Sequence, residues 1–169
     1  MSKTQTMKKI LIIAFLVIAN MTIAAQKQTL YHPEADAEKD VEAILKRAKS
    51  EKKFVLIQAG GNWCKWCIEF DRVSKADHGI DSVIKAGFIV YHLNFSKENE
   101  NKKIFAKYEY PQRFGFPVFI ILNSDGQRIH TQNSEYLEDG KNSYNTNKAQ
   151  SFLEFWGPNA VDPKKYGDQ

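Results

Sequence analysis

The chain holds two cysteines, Cys64 and Cys67, both in the stretch G-G-N-W-C-K-W-C. Three residues along a helix is close to one turn, which brings two sulfurs within bridging distance. Such a bridge is a poor staple, because it closes a tiny loop and restrains the unfolded chain little. What the pair can do is exchange. One thiolate attacks a disulfide, and the second sulfur then displaces the mixed disulfide that results. Position assigns the roles. A thiolate at a helix N-terminus is stabilised by unpaired backbone N–H groups, which lower its pKa below the free value of about 8.5. Cys64 is expected at that end as the attacking sulfur, with Cys67 a turn deeper as the resolving one. Lys65 adds a neighbouring positive charge that solvent would screen.

Rival chemistries need partners that this chain does not offer at the right spacing. A zinc site would require two of His32, His78, His92 and His130 beside the cysteines, and none stands at ligand spacing. Covalent haem attachment needs a histidine directly after the second cysteine, and residue 68 is isoleucine. Neither metal nor haem is therefore expected, and the redox-active Cys64–Cys67 disulfide stands in for a cofactor. An inert structural pair remains the alternative.

The elements that must position the sulfurs follow from apolar spacing. Pro33 and the acids Glu34, Asp36 and Glu38 predict a helix start, with Ala37, Val41, Ile44, Leu45 and Ala48 on one face. Lys53 to Ala59 is a short apolar run, predicted as a buried strand, and it ends at Gly60-Gly61. The cysteine helix follows from Cys64 to about Lys75, with Cys67, Phe70 and Val73 or Ser74 inward. Asp77-His78-Gly79 interrupts it, and a short helix through Val83 and Ile84 ends at Gly87. Phe88 to Phe95 is a second strand. Lys97 to Tyr110 is predicted as a polar helix touching the core through Ile104, Phe105 and Tyr108. Pro117 to Leu122 is a third strand, and Asn123-Ser124-Asp125-Gly126 turns it into an antiparallel partner at Gln127 to Thr131. A polar loop over 133–146 leads to a last helix with Ala149, Phe152, Leu153, Phe155 and Trp156, and the tail from Gly157 is expected to fray. Strands separated by helices predict parallel crossovers, so the whole reads as α/β: a central mixed sheet, parallel strands plus an antiparallel hairpin edge, flanked by helices.

The first residues predict export. Lys3, Lys8 and Lys9 precede an apolar run from Ile10, and Ala24-Ala25 supply small residues before Gln26. That is the layout of a signal peptide over 1–25. An N-terminal membrane anchor is the alternative, but a run of this length falls short of the roughly 20 apolar residues that a span requires. Without 1–25 the formal net charge drops from +4 to +1, since three lysines and no acids leave. No dense Lys/Arg stripe remains to engage nucleic acid. Residues 26–169 suit one domain, expected to be monomeric and either periplasmic or secreted.

W-C-x-x-C after a buried strand, Gly115-Phe116-Pro117 opening the later strand, and the N-S-D-G hairpin together resemble the thioredoxin superfamily. The resemblance spans about Glu34 to Trp156. It is most similar to secreted bacterial thioredoxin-like proteins and to the C-terminal domain of thiol:disulfide interchange proteins. It implies a cis Pro117 against the cysteines, with the backbone of Phe116 pairing to an extended substrate; the alternative is a trans proline starting an edge strand. Trp63 and Trp66 would rim Cys64, or simply pack.

The chain also departs from that family. A buried aspartate that takes a proton from the resolving thiol is replaced by Gln58, which cannot. His92 stands where a lysine is expected, either as proton acceptor for Cys67 or as a packed histidine bonded to Gln58. Lys65-Trp66 replaces Gly-Pro, so a thioredoxin-like reducing potential does not follow. The resemblance implies a thiol–disulfide oxidoreductase reducing disulfide-containing proteins, supplied by a membrane or soluble redox partner. The alternative is a binding or chaperone-like module with idle cysteines, recognising targets through Tyr136, Leu137 and Tyr144.

Overall fold

The computed structural model describes residues 29–167; the expected signal peptide lies outside them. Helix α1 (Ala37–Glu51) begins later than Pro33, because the Asp36 carboxylate accepts the Lys39 N–H and caps the first turn. Strand β1 (Phe54–Gly60) is the centre of the sheet. Its alternate side chains fall on opposite faces, and both faces are covered. Val55, Ile57 and Ala59 join Ala37, Val41 and Ala48 of α1 on one side. Leu56 joins Phe70 and Val73 of α2 (Lys65–Ala76) and Ile80 of α3 (His78–Gly87) on the other.

Strand β2 (Phe88–Asn94) runs parallel to β1, with Gln58 opposite His92. The next connection departs from the expected one. The predicted helix over 97–110 is only α4 (Lys102–Lys107), because asparagine side chains capture the backbone before it. The Asn94 side-chain amide donates to the Asn99 carbonyl, and that of Asn101 to the Asn94 carbonyl. Six helical residues advance the chain by about 9 Å, whereas β2 spans about 23 Å. The chain is thus never carried back to the start of the sheet. Strand β3 (Val118–Leu122) enters at the end where β1 finishes and runs antiparallel to it, not parallel.

After the Asn123–Gly126 turn, β4 (Arg128–Asn133) pairs antiparallel to β3, giving the order β2-β1-β3-β4. One parallel pair and two antiparallel pairs make the mixed sheet. The 133–146 stretch is not an open loop. It contains a 3-10 turn over Ser134–Leu137 and a bridge between Glu138 and Tyr144, and it buries both Leu137 and Tyr144. Those two side chains are thus withdrawn from the surface, and Tyr136 alone of the three is exposed. Helix α5 (Thr146–Trp156) packs Ala149, Phe152 and Leu153 on the α2 face and leaves Phe155 exposed. The tail is structured to residue 167 as two 3-10 turns, with Pro158 seated against Gly87.

Candidate active site

The sulfurs sit where β1 ends. Gly60 is the last residue of the strand, and a Cβ there would stand 2.3 Å from Cys67 Sγ. Only glycine lets the backbone pass this close to the bridge. The chain then turns through Gly61-Asn62-Trp63, closed by the Cys64 N–H donating to the Gly61 carbonyl at 2.9 Å. Cys64 is the N-cap of α2, and its Sγ accepts the Cys67 N–H at 3.2 Å. Cys64 and Cys67 are joined in a disulfide, with Cα atoms 5.2 Å apart. Cys67 is wholly buried and Cys64 nearly so.

Aromatic rings surround the pair. Trp63 is largely exposed, its indole N–H donating to the Phe95 carbonyl at 2.7 Å and its ring edge-on to Phe116. Phe116 also stacks on Phe95, with centroids 4.9 Å apart, and packs against the cysteines. The Phe116–Pro117 peptide bond is cis, and Pro117 is buried at the entrance to β3. Trp66 packs on the cysteine cluster and on the main core, edge-on to Tyr144, whose hydroxyl donates to the Trp66 carbonyl at 3.2 Å. Lys65 is exposed. Further along α2, Arg72 and the Ser143 hydroxyl hold the Glu69 carboxyl at about 2, well below its usual value.

Gln58 is buried on the cysteine face of the sheet, but it does not bond to His92. Its amide donates to the Tyr31 hydroxyl at 2.8 Å and to the Cys67 carbonyl at 2.9 Å. His92 instead lies edge-on to the Tyr31 ring, with Nε2 3.8 Å from an Asp71 carboxylate oxygen. Burial pushes its imidazole down to about 4, and Asp71 only partly opposes this.

Tyr31 is the site residue that sequence reasoning missed. It is fully buried in one cluster with both cysteines. Asn62 holds it there: its side-chain oxygen accepts the Tyr31 N–H at 3.0 Å, and its amide donates to the Tyr31 carbonyl at 2.8 Å. Tyr31 belongs to no helix or strand, so no periodicity flags it. A lone tyrosine and leucine in an otherwise polar lead-in were the available signal. Among the described residues no group of three or more His, Cys, Asp or Glu could hold a metal ion.

A four-stranded mixed sheet with a helix-capping cysteine and its bridged partner defines a thioredoxin-type fold with a C-x-x-C disulfide. The family model described as Thioredoxin-like matches residues 36–124, and the chain belongs to that family, within the thioredoxin superfamily. Among solved structures, a disulphide isomerase from Xylella fastidiosa Temecula1 is similar at 24% identity and a TM-score of 0.66, covering 75% of this chain and 95% of that one. The oxidised C-terminal domain of DsbD from Neisseria meningitidis is similar at 19% identity and a TM-score of 0.49, covering 72% and 94%. No curated protein sequence matches.

Proposed function

We propose that the chain is an exported thiol–disulfide oxidoreductase that reduces disulfides in client proteins. One observation carries this reading: Cys64 Sγ accepts a backbone N–H at the mouth of α2, with its bridged partner buried one turn inside. In the dithiol form the same N–H would stabilise a Cys64 thiolate and make it the nucleophile at neutral pH. Its sulfur bonds to one client sulfur, and the other leaves as a thiolate and takes up a proton. Cys67 then attacks Cys64 Sγ, re-forming the internal disulfide and releasing the second client thiol. Two electrons pass from the dithiol to the client, and a dithiol-bearing redox partner, membrane-bound or soluble, restores them.

Trp63, Trp66 and Phe116 form the client-facing rim, with Pro117 buried beneath it and the Phe116 backbone pairing to the client chain. Burial that holds the His92 imidazole near 4 makes it a poor proton acceptor for a thiol, so this reading assigns it no such part. Export rests on the basic, apolar and small-residue layout of residues 1–25. Among the described residues no helix is long and apolar enough to cross a membrane.

The test is insulin disulfide reduction driven by dithiothreitol. The wild-type protein should accelerate precipitation, and Cys64→Ser should fall to the uncatalysed rate. Equal rates for the two would replace the oxidoreductase with a binding module.

A further inference from the structure

The resolving step has a difficulty that the fold must answer. Cys67 has to be a thiolate when it attacks, yet it is fully buried, and a buried anion without a donor is costly. Gln58 is already committed to the Tyr31 hydroxyl and the Cys67 carbonyl. Tyr31 is placed differently. Its hydroxyl oxygen and Cys67 Sγ crowd the same space over Gly60, lying 3.0 Å and 2.3 Å from where a Cβ would stand. The oxygen accepts from Gln58, which directs the phenol's own proton elsewhere. Among the described residues no acceptor is hydrogen-bonded to that proton.

We propose that Tyr31 is a catalytic residue of the resolving step, donating its O–H to the Cys67 thiolate as that sulfur attacks Cys64. The inference rests on the exchange reaction proposed above. The proton lost from Cys67 is matched by the one the departing client sulfur gains, the Cys67 sulfur bonds to Cys64 Sγ, and the Cys64–client bond breaks. The bonding pair leaves on the client sulfur, which is protonated in turn. Tyr31 keeps its proton throughout. Burial raises the phenol above its ordinary value, so it remains a donor across the working pH range. The charged and titratable groups around it are Cys64, Cys67, Asp71, His92 and Tyr144, with Lys75 and His32 acting on His92. Tyr31 lies upstream of the 36–124 family match.

The experiment reads Cys67 directly, through the pH dependence of its 13Cβ shift in the reduced protein. Tyr31→Phe keeps the ring and should leave about tenfold less thiolate at a given pH, a rise of about one pKa unit. His92→Gln should leave the titration in place. With 5,5′-dithiobis(2-nitrobenzoate), Tyr31→Phe should keep the fast first release from Cys64 and slow the second, resolving release about tenfold. Should Tyr31→Phe fail to fold, difluorotyrosine incorporated into the wild-type chain supplies a stronger donor and should lower the Cys67 pKa. An unmoved Cys67 titration in either protein overturns the proposal. The titration needs no turnover, so it separates this failure from failure of the oxidoreductase reading, which would appear as a wild-type protein inert toward insulin.

Discussion

His92 makes folding stability depend on pH in a direction that can be worked out. In the unfolded chain its imidazole takes a proton near 6.5, whereas the folded protein resists until about 4. Its contribution is therefore whole above pH 6.5 and is lost as pH falls toward 4, where the folded state also protonates. With its side chain 22% exposed, solvent screens the penalty little. The linked loss is about 2 kcal/mol at pH 5 and levels near 3 kcal/mol once both states are protonated. Urea unfolding of the oxidised protein at pH 7 and pH 5, repeated on His92→Gln, isolates this residue from every other titrating group. The wild type should lose about 2 kcal/mol more than the variant between the two pH values. Equal losses would mean that the imidazole is not desolvated in the folded state, and the reasoning fails.

Two further outcomes follow from the geometry around the sulfurs. Gly60→Ala puts a methyl 2.3 Å from Cys67 Sγ, so the sulfur must retreat by roughly 1.5 Å; thermal unfolding should show the oxidised protein destabilised by about 1–3 kcal/mol. Asn62→Ala removes both hydrogen bonds that pin Tyr31, and amide exchange at Tyr31 should accelerate markedly while β1 keeps its protection.

The sulfur-bearing helix was legible because strand, glycines and cysteines are contiguous: a short apolar run, a Gly-Gly break and a cap are all local signals. Cys67, Phe70, Val73 and Ser74 duly face inward. The direction of β3 was not legible, because it turns on how little of 95–117 is helical, and Asn94, Asn99 and Asn101 settle that by bonding to backbone. Leu137 and Tyr144 looked available for recognition because they stand alone in a polar stretch; such isolated apolar residues can equally be what ties a loop down, as here. Tyr31 was invisible for a related reason. Its partners are 27 and 31 residues away in sequence, and nothing local marks a tyrosine that will be swallowed by a distant pair of thiols.

That tyrosine also decides where the molecule can be handled. Leu30 and Tyr31 pack against the cysteine pair, so a fusion or affinity tag joined directly ahead of them would begin beside the sulfurs. The carboxyl-terminal turns rest on Gly87, where β2 begins, at the opposite end of the sheet. A probe or surface tether belongs on that side, where it stays clear of the sulfurs.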